Sequence, residues 1–185
     1  MEIKSKEEIL LDTLSKIFYN NPEFEIVINI ITGKSDISLR IIDYFTTNYS
    51  YKYNIIYPLN KNESYINFNV YNSYKNQLKA FNKRYFDPFC RVNKNNIIKK
   101  IMFQIDDNQY IQTTIGQINF FKWAIEYNII EYILNNYDSI YSDMNKKEKK
   151  IIKNKIKLEN KIQSRTTLLD INNNSFSKIN KLKNN

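Results

Sequence analysis

The residues with the most recognisable spacing for chemistry are Gly33, Lys34 and Ser35, which match the last three positions of a phosphate-binding loop. That loop also needs an earlier glycine, because two glycines let consecutive backbone N–H groups surround a phosphate. Ile28 stands at the required position, and a β-branched side chain does not adopt the glycine turn. The pattern therefore favours a simple turn, with Ser35 or Asp36 capping the helix that follows.

Four aspartates are candidates for binding Mg²⁺, Mn²⁺ or Ca²⁺ through oxygen atoms: Asp36, Asp43, Asp106 and Asp107. The last two precede Asn108 and lie between two apolar segments, which is a hairpin-turn pattern. Turn chemistry explains these two residues without a metal. A metal enzyme that depends on carboxylates is therefore the third of three functional hypotheses, and we predict neither a metal nor a cofactor.

Two residue counts exclude whole classes of enzyme, since the chain contains no histidine and a single cysteine, Cys90. Without histidine there is no Ser-His-Asp or Cys-His nucleophile and no imidazole ligand for a metal. One cysteine builds neither a structural zinc site nor an internal disulfide. We expect a non-enzymatic protein in a reducing cytosolic compartment, with neither a signal peptide nor a membrane span.

The net charge of +9 is concentrated at the end of the chain. Residues 145–185 contain eleven lysines and Arg165 against three acids, so that residues 1–144 are neutral overall. This asymmetry is typical of an interaction tail for an anionic partner. We predict that the tail is part basic amphipathic helix and part disordered. Its candidate anion-binding residues are Lys146, Lys147, Lys149, Lys150, Lys153 and Arg165.

A second basic segment lies inside the neutral part of the chain, where residues 73–100 hold eight cations and one acid, Asp87. The candidate anion-binding residues in this segment are Lys75, Lys79, Lys83, Arg84, Arg91, Lys94, Lys99 and Lys100.

Spacing places part of this segment on a helix. Apolar residues recur every three or four positions, which predicts a helix with one apolar face formed by Tyr71, Tyr74, Leu78, Phe81 and Tyr85. Lys75, Lys79 and Lys83 follow at i, i+4 and i+8, which predicts a continuous basic stripe beside that face. Either a phosphate backbone or an acidic neighbour in the domain explains the stripe. The helix should end at Asp87-Pro88.

The patterns in the rest of the sequence predict helices and short strands, and so an α+β fold that positions the candidate residues. Residues 6–20 predict an amphipathic helix with Ile9, Leu10, Leu14, Ile17 and Phe18 directed inward. Residues 54–59 and 64–71 predict short strands, and a hairpin is predicted around the Asp106 turn. Residues 113–134 predict a buried central helix, opened by a capping box of Thr114 and Gln117. We predict one compact domain, residues 1–144, followed by the basic tail, residues 145–185.

Three sequence blocks carry a resemblance to a known family: residues 31–45, 74–91 and 113–133. They resemble a family of small proteins from nucleocytoplasmic large DNA viruses, the giant viruses. The blocks are distinctive as strings and contain no catalytic signature. The resemblance implies a viral setting and no reaction, and it implies residence in cytoplasmic viral factories of the host and in the virion.

Our leading hypothesis is a non-enzymatic viral protein that binds nucleic acid, DNA or RNA, or another anionic partner through the basic helix and the tail. The alternative is a virion structural or assembly protein whose basic tail docks on an acidic viral protein. Binding to nucleic acid that weakens with salt would separate the two.

Overall fold

A computed structural model of the chain describes residues 4–61, 64–89, 100–147 and 149–153. The chain divides after Tyr141 into two units. Helices and two separate antiparallel hairpins build the first unit, which confirms the predicted α+β class. Cys90, Arg91, Lys94, Lys99 and Arg165 lie outside the described residues, as does the part of the tail from residue 154 on. The predicted domain division at residue 144 stays a prediction.

In the described residues, the helices and strands of the first unit follow in this chain order. They are α1 (Lys6–Phe18), α2 (Phe24–Ile31), α3 (Leu39–Tyr44), the π-helical segment (Phe45–Tyr49), α4 (Ser50–Lys52), β1 (Ile56–Lys61), β2 (Ser64–Asn69), α5 (Val70–Tyr85), β3 (Ile101–Gln104), β4 (Tyr110–Thr113), α6 (Ile115–Glu126) and α7 (Ile129–Asn135). Residues 137–141 are also helical, and in the second unit residues 142–147 and 149–153 are helical.

Helix α1 begins with a full capping box, in which Ser5 and Glu8 each bind the other's backbone N–H. Leu14 and Phe18 are buried, as predicted. The prediction was wrong for Ile9 and Ile17, which are 54% and 36% exposed. The buried face of α1 is therefore narrower than the face that its apolar residues would form.

The helix after the Gly33 turn starts later than predicted. Ser38 is its N-cap, because its Oγ accepts a hydrogen bond from the Ile41 N–H at 3.3 Å. Ser35 instead accepts from the Ile37 N–H within the preceding turn, so the predicted cap at Ser35 or Asp36 was wrong. The segment before the turn is helix α2, which the sequence analysis left unassigned.

The two predicted short strands before α5 pair as a hairpin, and the predicted hairpin around Asp106 is also present. In the first, β1 pairs with β2 and places Tyr57 opposite Phe68. The Tyr57 hydroxyl donates to the Tyr127 carbonyl at 2.6 Å, which attaches this hairpin to the end of α6. In the second, β3 pairs with β4, and the Asp106 carboxylate accepts from the N–H groups of Asn108 and Gln109, both at 2.8 Å.

Helix α5 has the apolar face that its spacing predicts, and all five residues of that face are half-buried. The helix is kinked near its end, where Asn82 has φ 54° and ψ 178°. The Asn82 side chain accepts from the Arg84 N–H at 2.9 Å. The helix ends at Tyr85, two residues before the predicted Asp87.

Helix α6 is buried on nearly all sides, as predicted, and Thr114 caps it by accepting from the Gln117 N–H. The other half of the predicted capping box was wrong. The Gln117 side chain accepts from Thr113 Oγ1 and donates to the Pro88 carbonyl, both at 2.7 Å. The helix is also shorter than predicted, because Asn128 breaks it before α7.

The backbone that follows α5 comes very close to the first turn of α6 at Gly116. A methyl group on Gly116 would lie 2.7 Å from the Arg84 carbonyl oxygen. The Asp87 N–H donates to the Gly116 carbonyl at 3.2 Å, and Asn119 Nδ2 donates to the Tyr85 carbonyl at 2.8 Å. Together with Gln117, these bonds hold the residues after α5 against the first turn of α6, which fixes where α5 ends.

Asparagine takes the place of glycine at left-handed positions in this chain, which has two glycines. The described residues with positive φ other than Gly33 are Asn20, Asn54, Asn82 and Asn128. Asparagine is one of the few residues that tolerate this conformation, because its short polar side chain hydrogen-bonds locally.

We expect Asn128→Ala to lower the free energy of unfolding by about 1 kcal/mol, because alanine adopts φ 53° less readily than asparagine does. Asn128→Gly should keep or slightly raise stability, since glycine adopts this conformation without strain. Thermal melts of both variants and the natural chain test this, with a separation of roughly 3 °C expected. Equal melting temperatures for the two variants would contradict it.

Candidate nucleic-acid interface

The Gly33 turn does not have the geometry of a phosphate-binding loop. Helix α2, and no strand, precedes it. The N–H groups of Lys34 and Ser35, which would face a phosphate in such a loop, donate to the Asn29 carbonyl at 2.8 and 3.1 Å. Ile28, at the position where a phosphate-binding loop has its first glycine, lies within helix α2. Gly33, with φ 74°, lies in a turn, as predicted.

Two of the aspartates proposed as metal ligands make other contacts in the structure. Asp106 binds backbone N–H groups in the hairpin turn, and Asp107 accepts a hydrogen bond from the Tyr19 hydroxyl. This bond is the largest cause that raises the pKa of Tyr19. Within the described residues, no three histidine, cysteine, aspartate or glutamate side chains come together as a metal site would require.

Lys75 and Lys79 form the basic face of α5. Both are exposed, and they lie one helical turn apart on the same side of the helix. Lys83 is exposed as well but follows the kink at Asn82, so the continuous stripe predicted for the three lysines is broken after Lys79. Among the residues that the structure describes, none of the three lysines has an acidic partner.

Arg84 has an acidic neighbour within the domain, which was the alternative to a phosphate backbone as an explanation for these cations. Its guanidinium lies 3.2 Å from the Glu7 carboxylate and stacks over the Tyr85 ring at 5.3 Å. The Tyr85 hydroxyl also donates to Glu7, at 3.2 Å. Burial, and then this hydrogen bond, raise the pKa of Tyr85, so its hydroxyl remains a donor at neutral pH. Arg84 therefore connects α5 to α1 and has a structural role.

The other predicted cations within the described residues are exposed: Lys100, Lys146, Lys147, Lys149, Lys150 and Lys153. Lys100 immediately precedes β3 in the first unit. In the second unit, Lys149 and Lys150 lie four and three residues before Lys153 in a helical segment, so these three share one face. This is the arrangement expected for the predicted basic helix.

A group of tyrosines at the start of α5 was not predicted from the sequence. The ring centroids of Tyr51 and Tyr71 are 4.7 Å apart, and Tyr51 is 68% exposed. Tyr53 is 48% exposed, and Lys52 Nζ lies 4.7 Å from the centre of its ring. The missed signal is the composition of residues 44–86, which combine many tyrosines with six cations and one acid.

Within the described part of the chain, no helix is long and apolar enough to cross a membrane.

Comparison with known proteins identifies relatives of this sequence. The model of a family of unknown function (DUF7197) matches residues 1–183. The uncharacterized protein L507 of Acanthamoeba polyphaga mimivirus is 41% identical over 157 residues, which cover 84% of this chain. The matched part spans 59% of the mimivirus protein, so the chain corresponds to less than two thirds of that relative. No solved structure matches the chain.

Proposed function

The chain belongs to the DUF7197 family, found in a giant virus as the resemblance predicted, and we propose that it is a nucleic-acid-binding protein without catalytic activity. The proposed binding residues of the first unit are Lys75 and Lys79, on the basic face of α5, and those of the second unit are the lysines of its helical segment. The proposed setting is the viral factory in the host cytoplasm, with the virion as a second location.

The observation that supports the proposal most is that Lys75 and Lys79 have no acidic partner within the described residues. Two like charges one turn apart on a helix repel each other by a few tenths of a kcal/mol. An internal ion pair would relieve this repulsion, as Glu7 does for Arg84. A nucleic acid bound to this face would also relieve the repulsion between the two lysines. Each phosphate that contacts a lysine would add to the affinity.

The charge of the surrounding chain favours the same partner. From residue 44 to residue 86, Glu63 is the one acid among six cations. The electrostatic potentials of these cations add together over several ångströms, so they attract a nucleic acid before any direct contact forms. The exposed face formed by Lys149, Lys150 and Lys153 adds a second basic surface in the same chain.

An acidic viral protein is the competing partner, and it belongs to the structural or assembly hypothesis. Carboxylates on a folded protein also attract lysines. They lack the regular, dense charge of a nucleic acid, whose condensed counterions are released on binding. The salt dependence of affinity therefore separates the two partners.

We expect Lys75→Gln/Lys79→Gln to lower the slope of log affinity against log salt by about 1.4 to 1.8, since each lysine–phosphate pair that is removed lowers it by about 0.7 to 0.9. Glutamine keeps the helix propensity of lysine while removing its charge. Fluorescence anisotropy with labelled oligonucleotides, single-stranded and duplex, at several salt concentrations measures the slope.

The matched control is Lys16→Gln/Lys34→Gln, which changes the net charge equally at two exposed lysines on other elements. It should shift affinity only through the net charge and leave the slope nearly unchanged. Equal slopes for the natural chain and the α5 variant would remove α5 from the interface. A urea melt of each variant excludes unfolding as the cause.

A further inference from the structure

Beside the basic face of α5 lies a surface built from tyrosines and lysines, which we call the tyrosine platform: Tyr51, Tyr53 and Tyr71 with Lys52 and Lys75. We propose that this platform binds single-stranded nucleic acid by stacking bases on the exposed rings, with the two lysines holding the adjacent phosphates. The inference rests on the proposed function and specifies its ligand.

The first observation is the exposure of the rings. Tyr51 presents 68% of its surface to solvent and Tyr53 presents 48%, so burial in the core does not explain them. Tyrosine rings that serve packing in this fold are covered, such as Tyr44, which is 8% exposed. An exposed ring is a platform on which any base stacks, because every base has a π-face.

The second observation is that the rings are held in place by neighbours. Tyr51 contacts Tyr71 with 4.7 Å between ring centroids, and Tyr53 contacts Tyr49 at 4.5 Å. Below them, Asn69 Nδ2 donates to Asn54 Oδ1 at 3.1 Å, which joins the end of α4 to the start of α5. A ring whose orientation is fixed before binding loses less side-chain entropy when a base stacks on it.

The third observation is the position of the cations. Lys52 Nζ lies 4.7 Å from the centre of the Tyr53 ring, and Lys75 follows Tyr71 by one helical turn on the same face. Positive charge therefore flanks the rings from two elements. Bases and phosphates alternate along a single strand, so rings flanked by lysines match its chemistry.

The platform favours a single strand over a duplex for a physical reason. Bases in a duplex are stacked on one another, and a side chain reaches their faces only after unstacking costs of a few kcal/mol. A single strand offers free base faces, as RNA loops do to aromatic residues. Duplex binding by this protein would depend on the lysines alone.

The test uses the full chain and a labelled single-stranded oligonucleotide of about 16 nucleotides, which covers the site size of an aromatic groove. Tyr51→Leu removes the exposed ring and keeps an apolar side chain. We expect it to weaken single-strand binding by about 5- to 150-fold, the range measured for one base stacked on an aromatic residue. The salt slope should not change, because no charge is lost. Binding of the matching duplex should change little.

Two control variants make the result specific. Tyr51→Phe keeps the ring and should retain affinity within about twofold, since stacking does not need the hydroxyl. Tyr65→Leu removes a ring on β2 that is 79% exposed and contacts no ring of another described residue, and it should have no effect. Thermal melts of all three variants should coincide with that of the natural chain.

The failure of this inference differs from the failure of the proposed function. Unchanged single-strand affinity in Tyr51→Leu, with weakened binding in Lys75→Gln/Lys79→Gln, would overturn the platform and leave the proposed function intact. Absence of oligonucleotide binding by the natural chain would overturn both. Binding to an acidic protein in place of nucleic acid would also overturn both, and would favour an assembly role.

Discussion

Replacing Gly116 by alanine is expected to lower the free energy of unfolding by about 3 kcal/mol, the upper part of the range for overpacking a rigid site. The new methyl group would lie 2.7 Å from the Arg84 carbonyl oxygen and 3.3 Å from the Phe86 nitrogen. Both atoms belong to the backbone, so neither moves away by a change of rotamer. Relief requires α6 and the end of α5 to separate.

That separation would break a connected set of hydrogen bonds. The Asp87 N–H, Gln117 Nε2 and Asn119 Nδ2 all bridge the same junction. Because these polar groups are largely buried, each bond that opens leaves a donor or acceptor without a partner, at about 1–3 kcal/mol. Thermal melting should show a decrease of roughly 6–12 °C, taking 2–4 °C per kcal/mol for a chain of this size.

Gly33→Ala is the matched control for this variant. Gly33 has φ 74°, but a methyl group there would meet no atom within 4 Å. Alanine should therefore cost only the conformational strain, about 1–2 kcal/mol. If Gly116→Ala melts as high as Gly33→Ala, the close approach of α5 and α6 is wrong.

The largest expected effect on binding comes from the helical segment of the tail. We expect Lys149→Gln/Lys150→Gln/Lys153→Gln to weaken nucleic-acid binding by roughly 100-fold at about 0.15 M salt, because removing one lysine–phosphate pair lowers affinity about fivefold at that ionic strength. The three lysines are exposed and share one helical face, so a single strand or groove reaches all of them.

The matched control removes the same charge from the first unit, as Lys6→Gln/Lys16→Gln/Lys34→Gln. These three lysines are exposed and lie on α1 and in the Gly33 turn. The account predicts a much smaller change for this control than for the tail variant in the same anisotropy titration. Equal losses would mean that overall charge, and no particular face, governs binding.

Local patterns in the sequence predict the elements of this fold better than they predict its contacts. The spacing of Tyr71, Leu78 and Phe81 predicts the half-buried face of α5, and the Asp106 turn marks a hairpin. The kink at Asn82 was not predicted, because asparagine in a helical pattern carries no local sign of a positive φ. Helix α3 begins after Ser38, and α6 ends before Asn128. Local sequence did not predict these two boundaries, because Ser35 and Asp36 are equally good capping residues and asparagine also occurs within helices.

In the candidate site, too, local sequence predicts which residues are exposed but does not predict contacts between residues far apart in the chain. The exposure of Lys75 and Lys79 follows from their helical phase, so the sequence was sufficient to predict that exposure. The pairing of Arg84 with Glu7 joins residues 77 positions apart, and spacing within one helix gives no information about such a contact. The contact of Tyr51 with Tyr71 likewise joins two elements that are adjacent only in the folded chain.

Photo-cross-linking of the full chain to single-stranded DNA that contains 5-iodouracil, followed by mass spectrometry of the peptides, tests most directly whether the basic face of α5 contacts nucleic acid. The account predicts cross-links in peptides that contain Tyr71 to Lys79 and in peptides from residues 146–153, and their loss in Lys75→Gln/Lys79→Gln and the tail variant respectively. Cross-links confined to α7 and the β3–β4 hairpin, or an unchanged pattern in both variants, would contradict it.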